Sequence, residues 1–152
     1  MNSIGAPLVE LRLLSYRPAE MAAWWSALLG VQPHPVTAKL TTVTAARLGV
    51  VIERSQTAFD YHPEASGVTA INLTFDEPDD IRATVDRLAG HNSHPYRATR
   101  QGAVTALWFR DPNGTDVALS LPSGNAGPDV NLAEWPDELD PDTVLADTEP
   151  SR

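Results

Sequence analysis

A stretch of this chain recurs sixty positions further on, and no other feature narrows the possible folds as much. LVELRLLSYRPAEMAAWWSALLG occupies residues 8–30 and VTAINLTFDEPDDIRATVDRLAG occupies residues 68–90. Both run from an alternating apolar segment through a proline into a helical stretch that closes on glycine. Without a gap, Leu11 matches Ile71, Leu13 matches Leu73, Pro18 matches Pro78, Met21 matches Ile81, Leu28 matches Leu88 and Gly30 matches Gly90. A constant offset of this kind predicts a duplicated strand–helix unit, and duplicated folds often place their site where the copies meet.

Local patterning fills in each copy. Val9, Leu11 and Leu13 alternate with Glu10, Arg12 and Leu14, the period-two signature of a strand. Pro18 suits the first helical position, where its missing N–H costs nothing. Met21, Trp24, Trp25, Leu28 and Leu29 follow at helical spacing, so both tryptophans read as core or interface residues. Gly30 supplies a left-handed stop. Two more strands are predicted at 39–46 and 49–54. In the second copy Ile71, Leu73 and Phe75 alternate with Ala70, Asn72 and Thr74. Asp76 is placed to cap a helix carrying Ile81, Val85 and Leu88 and ended by Gly90. Strands follow at 95–100, 103–110 and 115–121, with Asp111-Pro-Asn-Gly114 as the turn between the last two. Each half is therefore β-α-β-β-β, and a loop over 55–67 joins them.

Charge separates a body from a tail. Residues 1–121 hold 12 acids and 10 bases, whereas residues 122–152 hold eight acids, one base and five of the 13 prolines. Such a segment buries too little apolar surface to offset its ordering entropy, so it is expected to be largely solvated. Leu132, Trp135 and Leu139 are its residues able to dock on the body or on a partner. The acidity argues against nucleic acid and anionic membranes as partners. No apolar run approaches a membrane span, the start MNSIGAPLVE lacks a secretory pattern, and cysteine is absent. A cytoplasmic protein is the expectation.

The two β-α-β-β-β modules, the Trp-Trp…Leu-Leu-Gly helix end and the closing WFRDPNGTDVALSLP together resemble the vicinal oxygen chelate superfamily. That group includes glyoxalase I, extradiol dioxygenases, and bleomycin- and fosfomycin-resistance proteins. The resemblance covers about residues 7–121, as modules of about 7–54 and 67–121, and leaves out the tail at 122–152. It implies an α+β fold in which the modules form a curved, cleft-forming mixed sheet with helices outside. It also implies a homodimer, because paired chains commonly complete the site in this family. Its metal-using members place a ligand on the first and last strands of each module. Here those positions are read as Glu10, Glu53, Ala70 and Ala118, where relatives carry His or Gln and Glu. Two methyl groups cannot coordinate a cation, so no tightly bound metal or other cofactor is expected. Two carboxylates alone favour at most weak binding of a hard divalent ion.

Candidate site residues follow from strand parity. Glu10 and Glu53 fall on the inferred concave face, where two nearby carboxylates would raise one pKa and create a proton acceptor or attract a cationic ligand. The competing reading pairs each with an arginine, Arg12 or Arg54, at a strand edge. Arg12, Asn72, Asp116 and Ser120 share the inferred face and suit ligand recognition, or else form a solvated sheet face. Trp108 is a candidate stacking platform, with a core position as the alternative. His34, His62, His91 and His94 lie among loop residues. No serine sits in a nucleophile-elbow setting, and no phosphate-binding glycine loop is present.

The leading functional expectation is a metal-independent small-molecule binder. The alternatives are a lyase or isomerase using Glu10 or Glu53 as base, a metalloenzyme with an unusual ligand set, and a regulatory protein whose tail recruits a partner.

Overall fold

The alternation at residues 9–15 becomes β1 (Val9–Ser15), and Pro18 opens α1 (Pro18–Leu29) as its first residue. The computed structural model describes residues 9–62, 64, 67–122 and 135–148. They divide into two units, Met1–His62 with Pro112–Gly114, and Pro63–Asp111 with Thr115–Arg152. The architecture is α+β, with one mixed sheet in each unit.

In the first unit, Gly30 at φ 67° ends α1 in the left-handed region, and its N–H donates to the Ser26 carbonyl at 2.8 Å. The chain continues through β2 (His34–Pro35), β3 (Leu40–Thr44) and β4 (Leu48–Arg54). The sheet order is β1-β4-β3-β2, with β1 parallel to β4 and the other pairs antiparallel. Met21, Trp25 and Leu28 of α1 are buried, as are Val43, Val50 and Ile52 of the sheet. Trp24 meets Trp25 edge-on at 5.3 Å between ring centroids, so both indoles serve packing. The sequence pattern misses β2: Pro35 argues against a strand, yet at an edge it loses no obligatory ladder bond.

The second unit repeats the order. β5 (Ala70–Thr74) leads to α2 (Pro78–Gly90), then β6 (Arg97–Gln101), β7 (Val104–Arg110) and β8 (Asp116–Pro122). Ile81, Val85 and Leu88 of α2 are buried, and so are Ala98, Leu107, Phe109, Val117 and Leu119 of the sheet. One helix-end expectation is corrected. Glu77, not Asp76, is the N-cap residue, and no side chain bonds the first turn; Pro78 already removes one of its free donors. Gly90 is the last residue of the helix, as expected, and Asn92 at φ 56° takes the left-handed position two residues later.

The acidic segment contributes more than solvated chain. β9 (Asp137–Leu139) adds a fifth strand, giving the order β5-β8-β7-β6-β9, and α3 (Pro141–Asp147) follows with Val144 buried. Leu139 stands in register with Ala98 of β6. Trp135 is 94% exposed, and Leu132 lies outside the described residues.

Within the Asp111–Gly114 turn the roles divide. Asp111 is buried, and its carboxylate accepts the Thr115 N–H at 3.0 Å. In the first unit the Asn113 side-chain amide donates to the Leu14 carbonyl at 2.9 Å and accepts from the Ser15 hydroxyl at 2.8 Å. Asn113 is thus more than a turn former.

Candidate ligand site

Strand register, more than parity, decides which polar residues meet. In the second unit Asn72 faces Ala118, which faces Trp108, which faces Arg97 across four adjacent strands. One step along, Thr74, Ser120, Ala106 and Thr99 form the next row. These rows lie on the sheet face opposite the one that buries Leu107, Val117 and Leu119. Small side chains at the centre, Ala106 and Ala118, leave room between Trp108 and Asn72. The result is a cavity of about 260 Å³ lined by Asn72, Thr99, Gln101, Val104, Ala106, Trp108, Ala118 and Ser120.

Internal hydrogen bonds fix its polar groups. The Ser120 hydroxyl donates to Asn72 Oδ1 at 2.6 Å, which commits that oxygen and leaves the amide Nδ2–H₂ as the donor Asn72 offers a ligand. The Trp108 indole N–H donates to Thr99 Oγ1 at 2.9 Å, which holds the ring plane. No lining residue is ionisable. An apolar floor with a few oriented dipoles and an aromatic wall is the arrangement of a small-molecule pocket.

Three of the expected residues, Asn72, Trp108 and Ser120, thus share one cavity. Asp116 occupies the same face but belongs to a neighbouring cluster. Its Oδ1 accepts from the Tyr96 hydroxyl at 2.7 Å and lies 3.4 Å from Arg110 Nε, while the Arg110 guanidinium stands 4.4 Å from the Tyr96 ring centroid. Burial, then the bond to Asp116, push the Tyr96 phenol above its ordinary value of 10.0. Thr99, Gln101, Val104 and Ala106 escaped the sequence reading. The signal was available in the alternation of Thr99 and Gln101 with Ala98 and Arg100, once β6 is aligned on β7.

Glu10, Arg12 and Glu53 lie in the first unit, on the face of its sheet opposite buried Val50 and Ile52. All three are exposed. They do not form the close carboxylate pair expected from sequence. Glu53 is opposite Leu14, four positions beyond Glu10, which separates the two by about 13 Å along the strand direction. Glu10 instead accepts from Arg12 Nε at 2.8 Å.

Register also corrects the comparison of the two modules. Arg12 pairs with Val51 and Asn72 with Ala118, so the counterpart of Ala118 is Val51. Glu53, opposite Leu14, corresponds to Ser120, opposite Thr74. A slip of two keeps every side chain on its face, so alternation alone could not reveal it. By register, the metal positions expected as Glu10 and Glu53 in the first module and Ala70 and Ala118 in the second are matched between modules only if Val51 replaces Glu53. Neither pair fits a bound metal: Glu10 is already bonded to Arg12 and Val51 is alkyl in the first unit, and Ala70 and Ala118 are both alkyl in the second. Among the described residues no group of three or more His, Cys, Asp or Glu side chains could hold one.

Comparison with known proteins gives a consistent picture. A sequence profile of the Glyoxalase/Bleomycin resistance protein/Dioxygenase superfamily matches residues 8–119. No curated protein matches the chain. Among solved structures, a glyoxylase/bleomycin resistance protein/dioxygenase domain from Frankia sp. EAN1pec superposes with a TM-score of 0.60 at 15% identity, over 80% of this chain and 94% of that one. A glyoxalase/bleomycin resistance protein/dioxygenase from Alicyclobacillus acidocaldarius gives 0.62 at 11% identity, over 82% and 97%. A lactoylglutathione lyase from Agrobacterium tumefaciens gives 0.57 at 15% identity, over 78% and 96%. These likenesses concern the fold. Among the described residues no helix is long and apolar enough to cross a membrane.

Proposed function

Because the chain belongs to the glyoxalase/bleomycin resistance protein/dioxygenase superfamily, we propose that it is a metal-independent small-molecule binding protein whose ligand occupies the cavity on the Asn72–Trp108 face of the second sheet. The observation that carries this reading is the uncharged cavity of about 260 Å³ walled by Trp108, with Asn72 and Ser120 as its polar end. Its size and lining suit a flat aromatic ligand carrying a hydrogen-bond acceptor. The indole supplies a stacking surface, and the Asn72 amide supplies the donor. Alkyl side chains at three of the four family metal positions support metal independence.

A homodimer belongs to the same reading. Leu14, 55% exposed on β1 at one edge of the first sheet, puts apolar surface there that a second copy would cover.

The test uses naphthamide, a neutral bicyclic aromatic amide, in calorimetric titration with and without a chelator. Binding that survives chelation in the wild type and disappears in Ala118→Leu supports the proposal. Binding that requires added metal, or that ignores Ala118→Leu, overturns it.

A further inference from the structure

The edge of the cavity carries a charge that its lining lacks, and a carboxylate from outside the family-matched region holds that charge in place. β9 begins at Asp137, whereas the family match ends at residue 119. Its pairing with β6 sets Glu138 level with Thr99, a residue of the cavity wall. Two residues before Thr99, on the same face, Arg97 stands directly across from Trp108. The Arg97 guanidinium lies 5.7 Å from the Trp108 ring centroid. Arg97 Nε donates to Glu138 Oε1 at 2.8 Å and to Oε2 at 3.1 Å, and Nη2 also donates to Oε1. Arg97 therefore borders the aromatic wall with one edge of its fork filled by an internal carboxylate.

That arrangement has a chemical meaning. A guanidinium fork matches a carboxylate geometrically, and one placed beside an aromatic ring suits a ligand that combines a flat ring with an acid group. The pair is not sealed away from solvent: the side chains of Arg97 and Glu138 are 37% and 61% exposed. Exposed ion pairs contribute little, so an incoming carboxylate can replace this one at small cost. A carboxylate on the ligand would also be repelled by Glu138 if both stayed beside Arg97.

We propose that the cavity takes an aromatic carboxylate, that Arg97 receives its acid group, and that Glu138 of the C-terminal strand is an internal competitor which the ligand displaces. This rests on the cavity being the binding site. The ligand-free protein then keeps Arg97 poised over Trp108 and screens it from unrelated anions. Ligand binding frees β9 of its side-chain tether to β6, so occupancy of the cavity becomes readable at the C-terminal segment.

The experiment titrates naphthoate and naphthamide, which share a ring system and differ in charge, into the full chain and two variants. Glu138→Gln is expected to tighten naphthoate about fivefold and leave naphthamide unchanged. Arg97→Gln is expected to erase any preference for naphthoate over naphthamide. Amide hydrogen exchange in β9 should quicken with saturating naphthoate and not with saturating naphthamide. If Glu138→Gln leaves the ratio of the two affinities unchanged or weakens naphthoate, the competition is refuted. If naphthamide binding depends on Ala118 while Arg97→Gln leaves naphthoate unaffected, the cavity assignment stands and this inference alone fails. If neither compound binds the wild type or Glu138→Gln, both fall together.

Discussion

The two units are built on one plan and differ in the side chains on one sheet face, the face of Arg12 in the first and of Asn72 in the second. In register, Arg12 corresponds to Asn72, Val51 to Ala118, Glu53 to Ser120, Leu40 to Ala106 and Thr42 to Trp108. The first unit carries bulk at the centre, through Leu40 and Val51, and charge around it. The second carries methyl groups at the centre and its large aromatic ring to one side. A cavity forms in the second because volume has been moved outward along the strands, with the backbone ladder unchanged. A concavity of about 420 Å³ in the first unit lies off this face, where the chain enters β3 and leaves β4, lined by Ala38, Lys39, Arg54 and Gln56. The same frame occurs twice, and side-chain size on this face distinguishes the copy that holds the cavity between Asn72 and Trp108.

The largest expected effects test the part of the plan that the units share. Trp25→Ala and Phe109→Ala each remove a fully buried ring from its unit's core. Each should cost about 3–5 kcal/mol in urea unfolding. A loss below about 1 kcal/mol in either would contradict the packing described for that unit.

The next effect breaks the symmetry. Ala118→Leu should weaken naphthamide at least about tenfold, roughly 1.4 kcal/mol. Its register counterpart, Val51→Leu, should leave the affinity unchanged. Equal effects from the two would erase the distinction between the faces. Asn72→Ala should cost about 1 kcal/mol of naphthamide affinity by calorimetry, the net value of one hydrogen bond. Arg12→Ala, at the matching position, should cost nothing measurable.

The smallest effects concern charge. Glu10→Gln breaks an exposed pair with Arg12 and should change stability by less than about 0.5 kcal/mol in urea unfolding. At the other unit's edge, hydrogen bonds from Arg97 hold the Glu138 carboxyl below its ordinary 4.5. A depressed carboxylate contributes stability above the unfolded value and loses it as pH falls through the folded value. Protection of the β9 amides should therefore hold steady from neutral pH to about 5 and fall below 4.5. In Glu138→Gln this acid limb should be absent.

Much of this architecture was written in local pattern. The sixty-residue repeat, Pro18 and Pro78 as helix openers, and the alternation in Val9–Ser15 all act over a few residues, where steric and hydrogen-bonding rules are strong. What stayed hidden depended on partners distant in sequence. The strand at His34–Pro35 exists because Thr41 and Thr42 of β3 pair with it, which no window around two prolines reveals. β9 forms because β6 offers a free edge, and an acidic, proline-containing stretch gives no sign of it. Parity placed Asn72, Asp116 and Ser120 on one face and left Trp108 open between a stacking platform and a core position. Only register showed that Asp116 joins Tyr96 and Arg110 instead of the cavity. The same blindness to a two-residue slip set Glu53 beside Glu10 as a pair, whereas the strands hold them four positions apart.

The most direct measurement is a two-dimensional nitrogen–proton NMR titration of the full chain with naphthamide. The account predicts shifts concentrated on the Trp108 indole N–H, the Asn72 side-chain amide and the backbone amides of Thr99, Ala106, Ala118 and Ser120. Shifts centred instead on Glu10, Arg12, Val51 and Glu53, with the Trp108 indole unmoved, would contradict it.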